Sequence, residues 1–109
     1  FGDNQYGQIG LQFEKFADKI TKLDVNGYMV DNIKCGGYHN IIKCKNNKYY
    51  VCGWNWNDCL LLKSELLVKF AFKFEEISMD YLYNELGSNK MIMDIVPGYY
   101  ETFILQSID

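Results

Sequence analysis

Arginine is missing from this chain of 109 residues, and histidine and proline occur once each, as His39 and Pro97. Without arginine there is no bidentate guanidinium clamp for phosphate or carboxylate and no arginine finger. Eleven lysines face fourteen acidic residues, for a net charge of −3. No basic stripe tracks a phosphate backbone, so contact with nucleic acid is not expected. No apolar run approaches the ~20 residues that cross a bilayer, and no leader segment is visible. The expected setting is intracellular, cytoplasmic or nuclear, with no membrane contact. The four cysteines, at 35, 44, 52 and 59, include no Cys-x-x-Cys pair, which is poor spacing for zinc. Their expected state is buried and reduced, acting as small hydrophobes, with a disulfide or structural metal as the lesser reading.

What the chain has is apolar and aromatic. Hydrophobic residues make up 49% and aromatic residues 17%, enough for the core of one small domain and too apolar for a disordered chain. It also repeats itself. Phe1-Gly2-Asp3-Asn4-Gln5-Tyr6-Gly7-Gln8-Ile9-Gly10-Leu11 returns fifty-one residues later as Cys52-Gly53-Trp54-Asn55-Trp56-Asn57-Asp58-Cys59-Leu60-Leu61-Leu62. Val30 to Ile42 returns at an offset of sixty-two as Ile92 to Ile104, with Gly36 on Gly98 and Tyr38 on Tyr100. The offsets differ by eleven, so the second unit carries about that many extra residues between Leu62 and Ile92. A period of this length points to a propeller or solenoid.

The repeated residues resemble the repeat of the regulator of chromosome condensation family. Gly2-Asp3-Asn4-Gln5-Tyr6-Gly7-Gln8-Ile9-Gly10, then Cys35-Gly36-Gly37-Tyr38-His39-Asn40, then Lys48-Tyr49-Tyr50-Val51-Cys52-Gly53 fit that pattern in order. The second unit departs from it: Asp58 and Leu61 replace turn glycines, Cys59 a glutamine, Pro97 a cysteine and Glu101 the histidine. The resemblance implies an all-β fold of antiparallel propeller-type blades, about two of them. Units of roughly 1–52 and 53–109 would form one partial propeller domain over 1–109. Two units do not close a ring, so remaining blades or self-association are expected to cover the open edges. The opening Phe1, inside a repeat motif, suggests a piece of a longer propeller protein. The resemblance also implies protein–protein interaction. An alternative is part of a guanine nucleotide exchange factor for a small GTPase, since family members that exchange nucleotide act on Ran. No exchange residue belongs to the matched repeat motif, and fold likeness does not establish activity.

Local patterns fill in the elements. Residues 1–11 predict a strand end and a glycine-rich turn. Phe13, Phe16, Ala17 and Ile20 suit a short helical turn, and Asn26-Gly27 a turn. Tyr28–Cys35 predicts a strand, and Asn40–Lys45 and Lys48–Gly53 a hairpin about Asn46-Asn47. Leu66, Val68, Phe70, Phe72 and Phe74 stand at alternate positions, with Lys69, Ala71 and Lys73 between, which predicts a half-buried strand. Ile77, Met79, Leu82, Tyr83 and Leu86 lie at helical spacing, with Ser78 to cap and Gly87 to end a short helix near 76–86. Met91–Val96 and Glu101–Gln106 predict two further strands about Pro97-Gly98.

Little in the chain suggests catalysis. His39, the lone histidine, recurs as a blade position in the resembled repeat, where its ring is expected to hydrogen-bond backbone of the adjacent glycine turn. Cys35 and His39 are four apart, but Gly36-Gly37 between them opposes a helix and hence a nucleophile pair. No carboxylate spacing singles out an acid–base pair. The calcium-loop and phosphate-loop patterns are missing. No catalytic residue, cofactor or metal ligand is therefore assigned, and the chain is not read as an enzyme. Gly2, Asn4, Gly7, Gly10, Gly36, His39, Gly53, Asn55 and Gly98 are read as structural repeat positions. Tyrosine and tryptophan carry interface hot spots when exposed. Trp54 and Trp56, in a loop after a strand, are the preferred exposed pair for a protein partner. Tyr81 and Tyr83 form a second surface if the helical insertion projects.

Overall fold

The computed structural model describes residues 2–10, 16–17, 29–63 and 69–108. It is built mostly of antiparallel sheet with one short helix. Strands β1 (Gly2–Asp3) and β2 (Phe16–Ala17) pair with each other. Strands β3 (Val30–Cys35), β4 (His39–Cys44), β5 (Tyr49–Trp54) and β6 (Phe70–Glu76) form a four-stranded sheet in chain order. Helix α1 (Met79–Leu86) follows, then β7 (Ile92–Pro97) and β8 (Thr102–Gln106) as a separate two-stranded sheet. Of the predicted elements, the Asn26-Gly27 turn, most of the segment around Phe13 and Ile20, and residues 64–68 of the alternating strand lie outside the described residues. Phe16 and Ala17 stand in a strand, not in the helical turn their spacing suggested.

The β4–β5 hairpin forms as predicted. Its loop is one residue longer than a two-residue turn. Cys44 N–H donates to Lys48 O at 2.9 Å, Asn47 N–H to Cys44 O at 3.0 Å, and Asn47 sits at φ 63°. That is a type I turn followed by a left-handed residue. At the far end Gly53 adopts φ 118°, and an added Cβ would lie 2.3 Å from Tyr38 O. Only glycine lets β5 approach the β3–β4 turn this closely, and the Trp54 N–H then donates to Tyr38 O at 2.9 Å.

β5 is buried along nearly its whole length, because both faces of the sheet are covered. Ile41, Tyr49 and Val51 on one face pack with Leu60, Ile77, Leu82, Ile92 and Ile95. Ile42, Cys44, Tyr50 and Cys52 on the other pack with Phe74. Helix α1 closes the first face. The Ser78 hydroxyl accepts from Tyr81 N–H at 3.2 Å, and Gly87 ends the helix at φ 63°. Ile77 before the cap and Leu82 one turn in share the same cluster, the arrangement of a hydrophobic staple. The helix therefore lies against the core and does not project.

Two expectations need correction. The alternation of Phe70, Phe72 and Phe74 does not survive: Ala71 and Phe74 are buried while Phe72 is exposed. The β5–β6 register shifts between Val51↔Glu75 and Gly53↔Ala71, and this bulge breaks the period of two. Cys35 is exposed, because β3 is an edge strand, whereas Cys44, Cys52 and Cys59 are buried; all four are free thiols. The four-stranded sheet also runs across residues 52 and 53, so the sheet is out of phase with the sequence unit.

Candidate functional site: an aromatic cluster at the sheet ends

The repeated loops position the site. In the first, Asn4 Oδ1 accepts from Ile9 N–H at 3.0 Å, Gly7 N–H donates to Asn4 O at 3.0 Å and Gly10 N–H to Gly7 O at 3.0 Å. In the second, Asn55 Oδ1 accepts from Leu60 N–H at 3.0 Å, Asp58 N–H donates to Asn55 O at 3.2 Å and Leu61 N–H to Asp58 O at 3.0 Å. Gly7 and Gly10 have φ 81° and 75°; Asp58 and Leu61 have φ 59° and 58°. The loss of two glycines thus leaves the backbone shape intact, since the asparagine side chain organises it.

Each loop hooks onto the hairpin that follows. Asn40 Nδ2 and Cys52 Sγ both donate to Gln8 O, the latter at 3.0 Å. At the corresponding place in the second unit, Thr102 Oγ1 donates to Cys59 O. The two hairpin turns also meet: Gly37 N–H donates to Gly98 O at 3.1 Å, and Lys34 pairs with Asp94.

His39 is 1% exposed, and its Nε2 lies 2.9 Å from Thr102 Oγ1. The Thr102 hydroxyl has one proton, given to Cys59 O, so its oxygen accepts from His39 Nε2–H. Burial lowers the His39 pKa below its ordinary 6.5, against an opposing hydrogen bond to the Glu101 backbone. The ring thus holds the opposite hairpin, where the sequence suggested the adjacent glycine turn. Burial also raises the three buried thiols, Cys59 to about 11, which suppresses thiolate chemistry. Among the described residues no three His, Cys, Asp or Glu side chains converge as metal ligands.

These anchors gather rings from five separate segments at one end of the sheets. Tyr6, from the first loop, stacks on Trp54 at 5.0 Å and on Phe70 at 5.7 Å. Tyr38 meets Tyr6 and Trp54 edge-on and stacks on Tyr100 at 5.9 Å. Trp56 lies 5.2 Å from Trp54, and Tyr99 lies 4.5 Å from Tyr100 in a T-shaped pair. Offset and edge-to-face contacts of this kind hold ring clusters together. The inner rings, Tyr6, Tyr38, Trp54 and Phe70, are half-buried. Trp56, Phe72, Tyr99 and Tyr100 form an exposed rim, with Trp56 48% exposed. The Tyr38 and Tyr99 hydroxyls lie 3.4 Å apart. Hydrogen bonding and charge coupling to Tyr99 push the Tyr38 pKa up to about 12, so its hydroxyl stays protonated at neutral pH.

The predicted contact residues separate. Trp54 and Trp56 sit together in the cluster. Tyr81 and Tyr83 pack half-buried against the core, and the Tyr83 hydroxyl accepts from Ile92 N–H at 2.9 Å. Tyr83 also lines a groove of about 410 Å³ with Lys43, Asn47 and Tyr49, at the hairpin-turn end of β5 away from Trp54. Tyr6, Tyr38 and Phe70 were missed as site residues. Tyr38 carried a signal, since it recurs as Tyr100 in the repeat; Tyr6 and Phe70 carried none beyond being aromatic.

No family model matches this chain, and no curated protein matches its sequence. Among the described residues no helix is long and apolar enough to cross a membrane.

Proposed function

We propose that this chain is a protein–protein interaction scaffold built from repeats of the regulator-of-chromosome-condensation type, within a propeller architecture. The observation that carries the reading is the pair of Asn-anchored loops, each with the same hydrogen bonds and the same left-handed positions, each hooked to a following hairpin. The four-stranded sheet in simple chain order has the form of one blade. The exposed rim of Trp56, Tyr99 and Tyr100 is the contact surface, rich in the residue types that dominate interface energetics.

A comparative interaction screen with the natural chain and a Trp56→Ser/Tyr99→Ser variant tests this. The variant should keep its circular dichroism spectrum and lose specific partners. An identical partner set for both proteins overturns the assignment of this surface. A nucleotide-release assay with small GTPases should show no acceleration; clear acceleration replaces the scaffold reading with nucleotide exchange.

A further inference from the structure

The groove of about 410 Å³ beside Tyr83 takes its walls from β4, β5 and the turn between them, from α1 and from the start of β7. Both units contribute, and α1 lies in the stretch by which the second unit exceeds the first. The lining divides by chemistry. Met79, Met91 and Met93 are three of the four methionines in the chain. Met91 and Met93 are exposed. Thioether side chains are unbranched and polarizable, and they adapt to irregular apolar shapes. Lys43, Tyr49 and Tyr83 bring polar hydrogens to the same groove. Lys43 Nζ lies 5.9 Å from the centre of the Tyr49 ring and pairs with no carboxylate among the described residues. Asp94, the acid whose charge Lys43 feels, is taken by Lys34. Tyr49 is 2% exposed, and its hydroxyl has no hydrogen-bond partner among the described residues. No sealed side-chain oxygen among those residues goes unpaired, so the little that Tyr49 exposes includes its hydroxyl, at the groove it lines. Burial first, then coupling to Asp94 and Tyr83, raises the Tyr49 pKa, and the hydroxyl keeps its proton. Tyr83 Oη accepts from Ile92 N–H at 2.9 Å, which leaves its own proton to donate.

We infer that this groove binds a medium-chain carboxylate, with Lys43 and the Tyr49 and Tyr83 hydroxyls on the carboxylate and the three methionines along the alkyl tail. Three donors with no carboxylate beside them in the described lining ask for an anionic acceptor, and a charged acceptor makes the stronger hydrogen bonds. The thioethers ask for an apolar body without a fixed shape. A mostly apolar concavity with a few convergent polar groups is the usual form of a small-molecule site, and 410 Å³ lies toward the small end of the ~300–1,000 Å³ such sites span. That size suits a tail of about eight to ten carbons rather than a long-chain lipid. The site lies away from the aromatic rim, and the inference is independent of the scaffold reading.

The test labels the methionine methyl groups of the full chain with carbon-13 and titrates decanoate, kept below its micelle concentration, by NMR. The Met79, Met91 and Met93 methyl signals should shift together and saturate. Met29, 68% exposed and outside the groove, should stay in place and serves as the internal control. Decanol should bind at least tenfold more weakly than decanoate, and acetate should shift none of the signals. Lys43→Gln should weaken decanoate at least tenfold and Tyr49→Phe about three- to tenfold, each with unchanged circular dichroism and little change for decanol. Equal affinity for decanoate and decanol overturns the carboxylate head, and that comparison needs no variant. Shifts that include Met29 and do not saturate mean detergent-like adsorption and overturn the site. So does a titration in which the three groove methionines stay in place.

Discussion

The Asn4–Gly10 and Asn55–Leu61 loops share one backbone shape but use different residues to hold it. In the first, the left-handed positions are glycines pressed against β6; in the second they are aspartate and leucine. The difference separates two roles that a repeated glycine conflates. Left-handed backbone by itself costs an ordinary residue about 1–2 kcal/mol, a sum the asparagine hydrogen bond and core contacts offset. Close approach of another backbone has no such remedy, because a Cβ has nowhere to go. Glycine is retained where β6 lies against the loop and replaced where the described structure has no such strand.

The largest test of this contrast is Gly7→Ala against Asp58→Gly. The first adds a Cβ 2.5 Å from a main-chain carbonyl at a strained φ and should destabilise by about 2–4 kcal/mol. The second removes a left-handed side chain and should stabilise by up to about 1 kcal/mol. Urea melts of both check the opposite signs; equal signs break the comparison. Next comes the asparagine pair. Asn4→Ala strands the Ile9 N–H and should cost about 2–3 kcal/mol, because Asn4 is buried; Asn55→Ala, half-buried, should cost about 1–2. Equal losses would mean that burial does not distinguish the loops.

His39 gives a smaller, pH-dependent effect. Its folded pKa is lowered, so the unfolded chain binds the proton first as pH falls. Its contribution is complete above the ordinary value of 6.5 and declines as pH drops through that value toward the lowered one. Melts from pH 7.5 to 5 should show this slope, and His39→Asn should remove it. Trp56→Ser should change stability least, within about 0.5 kcal/mol, because the ring is half-exposed at the rim. A Trp56→Ser loss above about 2 kcal/mol would place that ring in the core.

Elements with local causes were legible in the sequence. Ser78, Gly87 and the spacing of Ile77, Met79 and Leu82 specify α1 without tertiary help. The Asn46-Asn47 turn and its flanking apolar runs specify the β4–β5 hairpin. The course of β6 was not legible, because its bulge opposite Cys52 answers to the first loop, where Gly7 sits on Ala71. Cys35 looked like a core thiol because its strand is apolar at neighbouring positions, and only sheet order reveals an edge. The aromatic site was half legible. Trp54 and Trp56 stand two residues apart, but Tyr6 and Tyr100 reach Trp54 only after their loops converge, and Phe70 joins through Tyr6.

Thr102 ties together segments that sequence keeps far apart: its hydroxyl receives from His39 in one sheet and gives to Cys59 in the loop beneath the other. Peeling the last hairpin away would break the hydrogen bonds of a buried imidazole and of a peptide carbonyl at once. The two halves should therefore melt as one transition, with amides of β4 and β7 exchanging their hydrogens at a common rate set by global opening.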